Sequence, residues 1–164
     1  MKYILFISFF SLFFTSPSIS DIRELYQEAS GSKEITLQLV KELEAVKKTD
    51  NAVLVAYKAA SLTLLAKNTK GAKSKKMYFK EGVDLLEFII SKNSKNIELR
   101  FIRLTIQEKT PKFLKYKENI NEDKFLIYNH LKNGKNTNLQ TYMKEYVLQS
   151  KVFSIEEKNV ISEL

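Results

Sequence analysis

The sequence predicts an all-α protein of eight or nine helices joined by short loops. Three observations carry that prediction. Beyond residue 20, apolar residues recur at i, i+3, i+4 and i+7 almost without interruption. No run alternates apolar and polar residues with period two between turn residues. Helix punctuation also falls where the stripes begin and end, as at Ser154-Ile-Glu-Glu157, a capping-box pattern, and at Asn133-Gly134, a stop.

Taken in order, Ile22, Leu25, Tyr26 and Ala29 mark a first short helix, with Ser20 or Asp21 able to cap it and Gly31 ending it. Ile35, Leu39, Val40, Leu43 and Val46 mark a second, closing at Lys47-Lys48-Thr49-Asp50, where paired lysines suit the negative end of a helix dipole. Residues 51–66 are the most apolar stretch. Ala, Leu and Val occupy most faces there, so this helix should be central and buried on more than one side. Met77, Phe79, Val83, Leu86 and Ile90 mark a fourth helix. Ile97, Phe101, Ile102, Leu104 and Ile106 mark a fifth, interrupted at Pro111. Phe113, Leu114 and Tyr116 then form a short apolar patch. Asn119 and Glu122 read as an N-cap with its reciprocal acid, opening a helix through Phe125, Leu126, Tyr128 and Leu131. Leu139, Tyr142, Met143, Tyr146 and Val147 form a clean amphipathic stripe, and Val160, Ile161 and Leu164 lie on a last short helix.

The first twenty residues read as an address. Met1-Lys2 is a short positive start, and Tyr3 to Phe14 is apolar apart from Ser8 and Ser11. Ser18 and Ser20 put small residues at the −3 and −1 positions of a cleavage site before Asp21. The apolar run is too short to cross a hydrocarbon core of ~30 Å as a stable helix. The expected organisation is a signal peptide over residues 1–20 and a single α-helical domain over 21–164, exported to the periplasm or cell envelope.

Composition narrows the chemistry. There is no Cys and only one His among 164 residues, which excludes a disulfide framework, a thiolate metal site, a cysteine nucleophile and any site needing two imidazoles. No P-loop, G-x-G-x-x-G or G-x-S-x-G motif occurs. His130 follows Asp123 by seven residues on one helical face, but zinc would need two further strong ligands. The paired acids Glu122-Asp123 and Glu156-Glu157 sit where helix N-termini explain them. The expectation is therefore a protein without catalytic residues, cofactor or metal. The formal charge is +8, yet nearly all of it is Lys, with Arg only at positions 23, 100 and 103. Nucleic-acid binding leans on Arg forks and stacking platforms, and it is not expected here.

Residues 78–96, leading into Ile97-Glu-Leu-Arg-Phe-Ile-Arg-Leu104, resemble the second helix of a tetratricopeptide repeat passing into the first helix of the next. Gly82 stands at the small crossing position and Leu86 at the bulky one, while Ser94 replaces the usual Pro. Ala59-Ala60 can serve as the crossing point of the preceding helix. The spacing departs from the repeat, because residues 67–76 look like an inserted loop. The resemblance implies antiparallel helix pairs stacked in a short array or bundle. The order Tyr57-Lys-Ala-Ala60, Glu81-Gly82, Leu85-Leu86-Glu87, Glu98 to Leu104, Gln107, Pro111, Phe113-Leu114 and Tyr116 also resembles a group of small exported helical proteins of Bacteroidota-type bacteria. That likeness implies a helical fold and an exported location, and carries no chemistry.

Two candidate contact sites emerge. Arg100, Arg103 and Gln107 recur at i, i+3 and i+7 on one helical face, and a planar fork chosen twice in a Lys-rich chain suits a carboxylate or phosphate. Tyr57 and Tyr116 would flank it, and a partner protein or peptide of the envelope would be the ligand. The alternative for the same Arg pair is an internal ion-pair network with Glu81, Asp84 or Glu87. The second site is Lys67, Lys70, Lys73, Lys75, Lys76 and Lys80, six positives without an acid among them. These suit an anionic surface such as lipid phosphates, against the alternative of a solvated loop. The function expected from this reading is non-catalytic protein binding or scaffolding at the envelope. Peripheral binding to anionic lipid or glycan through residues 67–80 is the second expectation.

Overall fold

A computed structural model describes residues 17–134 and 137–164 of the chain. Among these residues there are eight α-helices, one 3-10 turn and no strand, so the fold is all-α as predicted. The helices are α1 (Ile19–Ala29), α2 (Lys33–Glu42), α3 (Ala52–Asn68), α4 (Ala72–Lys92), α5 (Ile97–Lys109), α6 (Ile120–Asn133), α7 (Asn138–Gln149) and α8 (Ile155–Ser162). The 3-10 turn, Lys112–Leu114, follows Pro111. Residues 1–16 of the expected leader lie outside the described residues. The expected cleavage point before Asp21 falls in the first turn of α1. No described helix is long and apolar enough to cross a membrane.

Local capping accounts for most helix starts. Ser32 accepts from the Ile35 N–H at 3.2 Å, Asn51 from Val53 at 2.9 Å, and Asn96 from Glu98 and Leu99 at 3.0 and 3.3 Å. The Ser154–Glu157 capping box forms in full. Three starts or ends differ from the sequence reading. The residue before α1 is Ser18, whose side chain makes no capping bond. α2 stops at Glu42, and the Lys47 N–H instead donates to Asp50 in the turn beyond. Asn119 does not cap α6, because its side-chain oxygen is taken by Gln107 Nε2 at 3.2 Å.

The largest correction concerns residues 67–76. They do not form an inserted loop: α3 runs through Asn68, α4 begins at Ala72, and Gly71 turns the chain at a φ of 87° that favours glycine. Ala and Lys are good helix formers, so α4 extends upstream of its apolar stripe to 21 residues.

The helices form antiparallel pairs whose first members run in the same sense. Tyr26 stacks edge-on against Tyr57, and further along both helices Lys67 Nζ donates to the Ser30 carbonyl, so α1 and α3 are parallel. Arg23 meets Glu98 and Tyr26 meets Thr105, which sets α5 parallel to α1. Phe101 meets Tyr142, and Glu108 meets Ser150, which sets α7 parallel to α5. The four turns that join each pair therefore lie at one end of the stack.

Two cores fill the interior. The first gathers Ile22, Tyr26, Leu39, Leu43, Leu54, Tyr57, Leu86, Ile90, Leu99 and Ile102 from α1 to α5. The second gathers Phe101, Leu104, Ile127, Met143, Val147, Phe153 and Ile161 from α5 to α8. α3 is buried on most sides, as its composition predicts. α5 divides the two cores and is buried almost throughout, although it carries Glu98, Arg103 and Gln107. Gly82 is the close-approach point of α3 and α4. A Cβ there would lie 2.6 Å from the Ala59 carbonyl oxygen and 2.9 Å from Thr63 Cγ2, so the helices meet this closely only over glycine.

Candidate functional site

α5 presents Arg100 and Arg103 to α4 and α6, and the acids of those helices take up both guanidinium groups. Arg103 donates from Nε to Asp123 Oδ2 at 2.6 Å and from Nη2 to Asp123 Oδ1 at 2.7 Å, a two-pronged pair. Its Nη1 reaches Glu87 Oε2 at 3.0 Å. Arg100 donates to the Ser94 carbonyl at 3.1 Å and lies 3.2 Å from Glu122 and 3.3 Å from Asp123. Burial opposes the charge of Arg103, but the Asp123 and Glu87 carboxylates hold its pKa above the ordinary value. Asp123 is fully buried. The result is a clamp across α4, α5 and α6.

The flanking residues are also turned inward. Tyr57 is fully buried and donates to Glu98 Oε1 at 2.9 Å, and burial followed by the Glu98 charge pushes its phenol pKa up. Glu98 in turn accepts from Arg23 Nε and Nη2 at 3.0 and 3.1 Å, joining α1, α3 and α5. Tyr116 donates to Glu87, and its pKa is raised by burial and by that carboxylate. Gln107 is fully buried; its Nε2 donates to Asn119, while its Oε1 has no partner among the described residues. The structure thus gives Arg100, Arg103, Gln107, Tyr57 and Tyr116 internal partners. Of the acids named from sequence, Glu87 joins the clamp and Asp84 pairs with Lys80 instead. Asp123, read from sequence beside His130 and as one of a pair of acids at a helix N-terminus, is the main Arg103 partner.

Glu108 is a node the sequence reading missed. It sits at the end of α5 and accepts from Tyr146 Oη, from Ser150 Oγ at 2.9 Å and from the Lys151 N–H at 2.7 Å. Burial raises its pKa, but these three donors outweigh burial and hold it below the ordinary carboxylate value. Glu108→Gln should cost about 1–2 kcal/mol, toward the lower end because the carboxylate is half-exposed. A group with a lowered folded-state pKa contributes fully above its unfolded value, about 4.3 for Glu. That contribution fades as pH falls through the folded-state value. Urea titrations should therefore show a constant gap between wild type and variant from neutral pH down to about pH 5, closing only below about pH 4.

The six lysines of the second site are all exposed. Lys67 ends α3, Lys70 lies in the three-residue link, and Lys73, Lys75, Lys76 and Lys80 lie on the opening turns of α4. Lys67 donates to the Ser30 carbonyl, and among the described residues only Lys80 has a carboxylate partner. α4 has no acid in its first turn. Lys73, Lys75 and Lys76 therefore face the positive end of their own helix dipole, an arrangement that costs rather than adds stability.

Two open grooves lie on the surface of the described residues. One, of ≈ 310 Å³, is lined by Leu37, Val40, Lys41, Glu44, Lys58, Ser61 and Leu62 between α2 and α3. The other, of ≈ 400 Å³, is bordered by Asp21, Glu24, Glu28 and Glu42 on α1 and α2. His130 is half-buried near the end of α6, and among the described residues no three His, Asp or Glu side chains gather as a metal site. The chain matches no family model, no curated protein and no solved structure.

Proposed function

We propose that this chain is an exported, non-catalytic binding protein of the cell envelope, a short stack of helix pairs resembling tetratricopeptide repeats, that meets an anionic surface through the α3–α4 turn. The observation that carries this reading is the set of six exposed lysines, only one of them facing a carboxylate among the described residues. Five of the six are held on helical turns and Lys70 in the short link between them, so their charges are arrayed rather than scattered along a long loop. The cost of Lys73, Lys75 and Lys76 to the α4 N-terminus is offset once an anion approaches. The parallel order of α1, α3, α5 and α7 supports the array resemblance.

Lysines at an anionic lipid surface contribute about 1 kcal/mol each. Replacing Lys70, Lys73, Lys75 and Lys76 together by Gln should weaken binding to phosphatidylglycerol vesicles or to poly-glutamate by at least about a hundredfold. Helical content should not change, because all four side chains are exposed. Wild-type binding should fall as salt rises and the Debye length shrinks from about 10 Å at 0.1 M. Salt-independent binding, or a quadruple variant that binds as well as wild type, would sink the reading.

A second reading, recognition of a partner protein by the array, is favoured by the α2–α3 groove, where Leu37 is 48% exposed beside Val40 and Leu62. With Arg100 and Arg103 engaged inside the fold, this reading rests on Leu37. Crosslinking to an envelope protein that Leu37→Glu abolishes would support it.

A further inference from the structure

The lysine turn is one part of a longer rim. The four turns within the helix pairs share one end of the stack, and each contributes positive charge. Lys33 opens α2, Lys70 lies in the α3–α4 link and Lys73 just beyond it, Lys112 and Lys115 bracket the 3-10 turn after α5, and Lys151 follows α7; all six are exposed. Neighbouring helix pairs touch near this end. Lys67 reaches the Ser30 carbonyl, the Phe79 ring lies 6.1 Å from that of Tyr116, and Glu108 binds the Lys151 N–H. Glu28, Glu34, Glu118, Glu122, Glu156 and Glu157 lie on the same rim, but no acid falls within residues 67–80 or 109–117, so its two main lysine clusters are unbroken. The opposite end carries Asp21, Glu24, Glu42, Glu44 and Asp50 among its own lysines.

Phe113 stands on the basic rim. It is 79% exposed, the most exposed of the large apolar residues described. Its position is set by backbone. Pro111 opens the 3-10 turn, the Leu114 and Lys115 N–H groups close it on the Pro111 and Lys112 carbonyls, and Lys115 adopts a φ of 50° that a lysine rarely takes. Lys117 Nζ holds the end of α5 behind it, donating to the Gln107 and Glu108 carbonyls at 2.8 and 3.0 Å. Met77, 53% exposed, stands among the α4 lysines of the adjacent turn. An exposed aromatic side chain flanked by lysines suits an interface where charge meets phosphates and the ring enters the acyl boundary. An acidic protein surface would use the lysines but would offer the ring no such layer.

We infer that the rim docks end-on to an anionic phospholipid bilayer, with Phe113 inserted as its wedge. This rests on the proposed anionic contact and specifies its partner as lipid. The long axes of the helices then stand off the membrane, and the opposite end, where acids and lysines are mixed, faces away.

The chain has no Trp, so Phe113→Trp provides a single fluorescent reporter at a site outside the core. With phosphatidylglycerol vesicles, its emission should shift to the blue and be quenched by lipids brominated on their acyl chains. Phe88→Trp is the control. Phe88 lies near the far end of α4 with Lys48 over its ring, and a reporter there should remain unquenched. In the otherwise native chain, Phe113→Ser should weaken vesicle binding roughly tenfold or more and leave poly-glutamate binding unchanged. Vesicle binding by the Phe113→Trp variant with its indole still in water, or equal quenching of the two reporters, would overturn the inference and leave the anionic contact standing. So would binding to poly-glutamate without binding to vesicles. Binding to neither would overturn both.

Discussion

Arg103→Leu is expected to destabilise the protein by about 3–5 kcal/mol, the range found when one partner of a buried ion pair is removed. Asp123 has no exposure to water, and the substitution would leave it only Arg100 at 3.3 Å. The Glu87 contact across α4 would be lost as well. Arg103→Lys should recover little, because one ammonium cannot reproduce two parallel bonds to Asp123 while reaching Glu87. The informative companion is Arg103→Leu with Asp123→Leu. Removing both charges abolishes the unpaired carboxylate, and the double variant should regain most of the loss. Urea unfolding of the three variants reads this directly. A loss below about 1 kcal/mol for Arg103→Leu would mean the pair behaves as if exposed.

Phe101→Ala is the second large effect, at about 3–5 kcal/mol. Phe101 is fully buried, and its ring meets Tyr142 and Tyr146 edge-on at 5.0 and 5.2 Å. These contacts seat α7 on α5. The variant should therefore lose protection first in α7 and α8, because α1 to α4 pack around a different set of residues. Hydrogen exchange resolved by helix checks this. Uniform loss of protection across the chain would mean that the two cores unfold as one unit.

The helices were largely legible from sequence because their causes are local. Apolar stripes, the Ser154–Glu157 box and the Asn133-Gly134 stop all act within about one turn of helix. The failures have physical reasons too. Residues 67–76 lack an apolar stripe and put lysines where a helix dipole disfavours them, so they read as loop; helix propensity and continuity with α4 prevail. Asn119 has the right residue type for a cap, but Gln107 competes for its oxygen from another helix.

The candidate sites divide along the same line. Spacing alone shows Arg100, Arg103 and Gln107 on one helical face, and shows six lysines without an acid among them. It does not say which face meets solvent. That is decided by α5 lying between two cores, where Asp123, twenty residues away along the chain, becomes the partner of Arg103. Arg23 and Glu98 are seventy-five residues apart, and Tyr146 lies thirty-eight beyond Glu108. Such pairings depend on which helices face each other, and that follows from the packing of apolar stripes rather than from any charge pattern. The same packing gathers the four turns at one end and leaves Phe113 standing among their lysines. Composition and periodicity determined an all-helical chain with a lysine-rich segment and no catalytic motif. Tertiary packing decided which charges neutralise one another inside and which remain at the surface, because burying a charge is tolerable only where a partner is already held in place.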